Sequence, residues 1–197
     1  PWWNNYWHFM LEALPLIFII SNSYKENLRK IYLKENNFWK QVYPFFSDLG
    51  INAKVFFVKS KKEIKETNLY NLLQFPGGSY PHPDLVKVAR EISNNLLDLA
   101  IKKKYLRKDY KGIKNIFLIR DQARRNTKIN QAVKEFAKKN EFEIFNSSKI
   151  EFIWEGLQLF SKAERIIVPH GAGLANILTA SKGCEIVEPV SYTHLRA

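Results

Sequence analysis

Residues 170–176 read His-Gly-Ala-Gly-Leu-Ala-Asn and stand between two apolar runs, Arg165-Ile166-Ile167-Val168-Pro169 and Glu185-Ile186-Val187-Glu188-Pro189-Val190. That order reads as strand, glycine turn, helix, strand. Gly171 and Gly173 let the backbone turn sharply and approach a ligand closely. A helix that starts there turns its unpaired N–H groups and the positive end of its dipole toward whatever docks. Such a site favours an anion, and a diphosphate is the commonest biological choice. On this reading His170, Gly171, Ala172 and Gly173 cradle phosphate. The competing reading is a tight strand-to-helix turn around a core histidine, and a lone short glycine motif leaves the two evenly balanced.

Three further groups could join in. Arg120, Arg124 and Arg125 lie in the stretch Ile-Arg-Asp-Gln-Ala-Arg-Arg after an apolar run. Guanidinium forks grip phosphate oxygens in pairs and keep their charge. Their alternative is a solvated basic loop, because residues 101–140 hold 14 Lys+Arg against 3 Asp+Glu. His8 and Glu12, four apart, project from one helix face. Such a pair can accept or relay a proton near neutral pH, or be a half-buried histidine with a satisfying carboxylate. Glu188, on the last strand, could accept ribose hydroxyls as acidic residues do in nucleotide folds, or be an exposed strand residue.

Other chemistries lack their residues. Without Gly-x-Ser-x-Gly, the glycine turn is no lipase-type oxyanion loop. There is no phosphate-binding Gly-x-x-x-x-Gly-Lys-Ser/Thr loop and no Asp-x-Asp. The 4 histidines lack ligand spacing, so no metal site is expected. A single cysteine, Cys184, excludes an internal disulfide framework and a cysteine-based zinc cluster. The 197 residues are 46% hydrophobic and 14% aromatic, enough to bury a core. The net charge of +12 suggests an anionic partner: nucleic acid, a membrane surface or a phosphorylated substrate. The longest uncharged apolar run, Ala13 to Ile20, contains Pro15 and is too short to span a bilayer.

These groups need elements to hold them. Asn4 or Asn5 can cap a helix that presents Trp7, Met10, Leu11 and Leu14 on one face until Pro15 kinks or ends it. Residues 29–34 and 54–59 read as strands around a helix within 36–49, stopped by Gly50. The breaker Pro76-Gly77-Gly78-Ser79-Tyr80-Pro81-His82-Pro83 marks the expected domain boundary. Beyond it a helix runs from Pro83 to about residue 104, then a strand at 115–120. A helix capped by Asn130 runs to about Lys139, a strand covers 142–145, and a Ser148/Glu151 capping box opens the next helix. Alternating strands and helices at this spacing imply parallel strands with helical crossovers, a Rossmann-like α/β domain. Ligands of such sheets bind outside the carboxyl ends of the strands, where Arg120 and His170 both stand. The chain opens at Pro1 and ends in an aperiodic Ser-Tyr-Thr-His-Leu-Arg-Ala. It is read as a fragment, with residues 191–197 a non-native tail and His194 uninformative.

Taken together, Asn-Tyr-Trp-His-Phe-Met-Leu-Glu-Ala-Leu-Pro near the start, the arginine strand end with Asn130, and the block from Phe160 through His170 to Asn176 and Glu188 resemble glycosyltransferase family 61. The resemblance spans residues 4–190. At Gly156 the family more often carries Gln, and the spacing from the arginines to Asn130 is looser than usual. The resemblance implies an α/β, GT-B-like fold, two Rossmann-like domains facing across a cleft with the N-terminal one incomplete. Residues 1–80 would be the last part of the acceptor side and 81–190 the nucleotide-sugar domain.

The activity implied is inverting, metal-independent transfer from a nucleotide sugar to a glycan or lipid-linked saccharide, in bacterial surface-polysaccharide (capsule) synthesis. No cofactor is expected. The place implied is the cytoplasm, with peripheral contact with an anionic membrane. His8 or Glu12 would be the base. The arginines and the glycine turn would neutralise the leaving diphosphate, and Asn176 would bind the sugar or a phosphate oxygen. The rivals are a basic binding module, for nucleic acid through Tyr105 and Tyr110 or for glycan, and an inactive glycosyltransferase relative.

Overall fold

The structure, a computed structural model, describes residues 5–24, 30–65, 82–106, 108–119 and 131–189. The chain falls into two compact units, Pro1–Ile92 and Ser93–Ala197. Residues 76–81 of the proline-glycine breaker and the tail 191–197 lie outside the described residues.

The first unit opens on a helical path of three pieces: α1 (Tyr6–His8), a π-turn (Phe9–Ala13) and α2 (Leu14–Ser23). The Asn5 side chain caps it, accepting from the Trp7 N–H at 2.9 Å. Pro15 does not end the helix. A proline ring clashes with the carbonyl four residues back in an uninterrupted α-helix. Here the π-turn closes with the Leu14 N–H on the Phe9 carbonyl, and α2 begins anew. Pro15 therefore occupies a first turn, where no N–H is required. Phe9, Met10, Leu11, Ala13, Leu14 and Ile17 are buried along this path.

A β-α-β unit follows: β1 (Lys30–Lys34), α3 (Asn37–Val42) and β2 (Lys54–Val58), the strands parallel with Tyr32 opposite Phe56. The Asn36 side chain caps α3 by accepting from the Trp39 N–H at 2.9 Å. Beyond Val42 the chain tightens into a 3-10 turn at Tyr43–Phe45, which contains Pro44. Gly50 closes the segment at φ +80°, the left-handed conformation favourable to glycine. Trp39, Val42, Phe45 and Phe46 are buried, with Trp39 edge-on to Phe9 at 4.7 Å between ring centroids. Burying each such side chain stabilises the unit by roughly 1.5–3 kcal/mol.

The second unit is built on β3 (Asn115–Ile119), β4 (Glu143–Asn146), β5 (Arg165–Ile167) and β6 (Glu185–Val187), all parallel, in spatial order β4-β3-β5-β6. Helix α4 (Pro83–Lys102), across which the two units divide, precedes it, with Pro83 in its first turn as expected. Helix α5 (Gln131–Lys139) links β3 to β4, α6 (Ile153–Ser161) links β4 to β5, and a 3-10 helix (Ala172–Thr179) links β5 to β6. β3 is central and buried over its last four residues, as parallel strands covered on both faces must be. Phe117 and Ile119 pack with Ala137 of α5. The order of strands reverses between β3 and β5, the place where parallel sheets of this kind bind ligands. A mixed α/β chain with parallel sheets in this order is compatible with a Rossmann-like glycosyltransferase fold.

The opening of α6 differs from the expected Ser148/Glu151 box. Asn146, at the end of β4, turns the chain first, accepting from the Ser148 N–H at 3.0 Å to start a 3-10 turn at Ser147–Lys149. The helix starts four residues later than that box would set. There Glu155 Oε2 accepts from the Glu151 and Phe152 N–H groups at 3.1 and 3.0 Å. Glu155→Ala is expected to destabilise the protein by about 1 kcal/mol, a fall in Tm of about 2–4 °C at this size. Ser148→Ala should leave the Tm in thermal unfolding unchanged. Equal shifts in both variants would return the cap to Ser148.

Candidate functional site

The glycine turn sits at the carboxyl end of β5. Beyond the strand the Val168 N–H still donates to the Val187 carbonyl at 3.0 Å, so the β5–β6 pairing continues almost to the turn. Gly171 has φ +142° and ψ −166°, a region open in practice to glycine alone. The following helix is of the 3-10 type, tighter than α, with the Leu174 N–H on the Gly171 carbonyl at 3.0 Å. Gly173 brings it against the central strand: a Cβ there would lie 3.0 Å from Leu118 Cδ2.

The same helix is locked to α6. Thr179 Oγ1 donates to the Leu157 carbonyl at 2.7 Å. Asn176 is 4% exposed, and a Cβ on Gly156 would stand 2.6 Å from its Oδ1. The structure thus turns the Asn176 amide toward α6, in the packing between the two helices. The glycine at 156 belongs to this arrangement, because it leaves the space that the Asn176 amide fills.

His170 and Glu188, named separately from the sequence, meet: Nδ1 and Oε1 are 2.6 Å apart. Their side chains are 52% and 35% exposed. Adjacent parallel strands produce this pair, since His170 follows β5 and Glu188 follows β6 at the same end of the sheet. Strand pairing was the missing signal, and the sequence does not state it.

β3, the neighbour of β5, ends at Ile119. Arg120, Arg124, Arg125 and Asn130 come after it and lie outside the described residues. Close by is a cleft of about 610 Å³ that the sequence reading missed. Ile119, Asn146, Lys149, Ile150, Gln158 and Tyr110 are among its walls. These come from strand ends, a turn, a helix and a loop, so no single motif announces it. Burial pushes the Tyr110 phenol above its ordinary range, with Glu143 adding to the rise.

In the first unit His8 Nδ1 lies 2.8 Å from Glu12 Oε1, side chains 31% and 26% exposed. The expected pair forms, His8 ending α1 and Glu12 lying inside the π-turn. π-Turns inside helices are frequent at functional sites. Tyr6, on the same segment, packs on Phe38 at 5.5 Å, and burial pushes its phenol well above the usual range.

Lys102, Lys103, Lys104, Lys108 and Lys111 are exposed in the second unit, together with Tyr105. Tyr105 packs on Trp154, which stacks on Phe152. Among the described residues no three His, Cys, Asp or Glu side chains are grouped to hold a metal ion, and no helix is long and apolar enough to cross a membrane.

A family model described as Glycosyltransferase 61 matches residues 6–187, and the match covers both His–carboxylate pairs except for Glu188. No curated protein matches the chain. The match extends over most of the sequence, and the chain belongs to glycosyltransferase family 61.

Proposed function

We propose that this member of glycosyltransferase family 61 moves a sugar from a nucleotide-sugar donor to a glycan or lipid-linked saccharide acceptor, inverting the anomeric carbon and using no metal ion. The observation that carries the donor site is the Gly171 turn, set where the order of a parallel sheet reverses. In this reading the diphosphate rests on the turn, held also by Arg120 with Arg124 or Arg125. The nucleoside lies in the cleft at the end of β3, whose walls include Ile119, Asn146 and Gln158. The two units serve as acceptor and donor sides of a GT-B enzyme.

In the reaction the acceptor hydroxyl attacks the anomeric carbon, its proton passes to the His8–Glu12 pair, and the bond to the diphosphate breaks. The leaving group departs with the bonding electrons, and the fixed positive charges around it stabilise that growing charge. Acting on lipid-linked acceptors, the enzyme would work at the cytoplasmic membrane face, and exposed Lys102, Lys103 and Lys104 beside Tyr105 would meet anionic lipid. Synthesis of a bacterial surface polysaccharide such as capsule is the context we assign.

Calorimetric titration with UDP, GDP and CDP, with and without magnesium, tests the donor site. One nucleotide is expected to bind regardless of magnesium. Arg120→Ala should weaken it by about 10–100-fold, the effect of losing a charged hydrogen bond of ~1.5–3 kcal/mol. A folded protein that binds none of them, but binds oligonucleotides with steep salt dependence, would overturn the proposal in favour of a nucleic-acid module.

A further inference from the structure

We infer that Glu188 is a positioning residue: it fixes the ring of His170 so that Nε2 faces the donor diphosphate, and it does not itself bind the donor ribose. The inference rests on the donor reading of the glycine turn given above. A carboxylate accepts hydrogen bonds and does not donate them. At 2.6 Å from Glu188 Oε1, His170 Nδ1 must therefore be the nitrogen that carries the proton. The action of the ring then falls to Nε2. With Nδ1–H donating to Glu188, Nε2 is the ring atom assigned to a phosphate oxygen, and a protonated ring would make that a charge-assisted bond of the stronger kind.

The backbone supports this division of labour. The Val168 N–H to Val187 carbonyl bond, at 3.0 Å, fixes the strands two residues before the histidine and one before the glutamate. Gly171 turns the chain immediately after the ring. His170 thus stands at the mouth of the phosphate turn, and Glu188 reaches it from the next strand. Carboxylates that orient a histidine in this way are common where the ring must act through one chosen nitrogen.

Two measurements decide it. In the free chain, long-range proton–nitrogen NMR correlations are expected to show the neutral His170 ring protonated at Nδ1, and Glu188→Ala to move that proton to Nε2. In calorimetry with whichever of UDP, GDP or CDP binds, Glu188→Ala should weaken affinity about tenfold. It should add nothing once His170→Ala is present, because its effect passes through the ring. An Nε2-protonated ring in the unaltered chain would overturn the inference. So would a tenfold loss from Glu188→Ala that persists in the His170→Ala background, as a direct ribose contact would give. If no nucleotide binds the unaltered chain, the diphosphate role falls with the donor reading, and the tautomer still decides whether Glu188 orients the ring.

Discussion

Gly171→Ala is expected to weaken nucleoside diphosphate binding at least a hundredfold, about 2.7 kcal/mol, while the protein stays folded. The residue has φ +142° and ψ −166°. A side chain there meets its own backbone, and holding the conformation would require about 1–3 kcal/mol of strain. The chain can escape that strain by rotating the peptides on either side. Those peptides join His170 to the start of the 3-10 helix, so relief of strain dismantles the cradle. Gly173→Ala supplies the contrast. Its φ is not in the positive range, and the added methyl meets the far end of Leu118 at 3.0 Å, a flexible partner that can yield. Calorimetry on the two variants, with circular dichroism to confirm folding, should find Gly173→Ala within a few-fold of the parent. Equal losses would mean that bulk near Leu118, and not backbone conformation, sets the site.

The contrast also shows what could be read from the sequence. His170 to Asn176 announces a turn between strand and helix, and the second unit follows the expected alternation closely, from β3 at Asn115–Ile119 to β6 at Glu185–Val187. Local patterns carry that information, because burial imposes period on side chains. What the sequence withholds depends on pairing. The His170–Glu188 contact follows from β5 lying beside β6, and the reversal between β3 and β5 follows from strand order. Two residues 18 apart reveal nothing of either. Competition between equivalent signals also defeats a local reading. Ser148 and Glu151 have capping-box spacing, yet Asn146 turns the chain first and Glu155 takes the role. Pro15 reads as a kink or a stop, and the π-turn before it lets the helical path continue and bury Ile17. Asn176 illustrates a third kind of difference: its chemistry suits a ligand, while its burial against Gly156 is a property of tertiary packing.

Glu12→Gln should reduce kcat by about 10²–10⁴-fold, the usual contribution of a positioned general base. Donor affinity should remain within a few-fold of the parent. The two effects separate because His8 and Glu12 lie in the first unit and the glycine turn in the second. With Nδ1 and Oε1 2.8 Å apart, the pair is expected to share one proton-handling task. If His8 takes the acceptor proton, Glu12 orients it; if Glu12 takes it, His8 is the partner. In both cases removing one member disables the unit, so His8→Ala combined with Glu12→Gln should be no slower than the slower single variant. Multiplicative losses would mean two independent roles. An unchanged kcat in Glu12→Gln would remove the pair from the chemistry and leave it as a stabilising contact of the π-turn, worth well under 1 kcal/mol at such exposure.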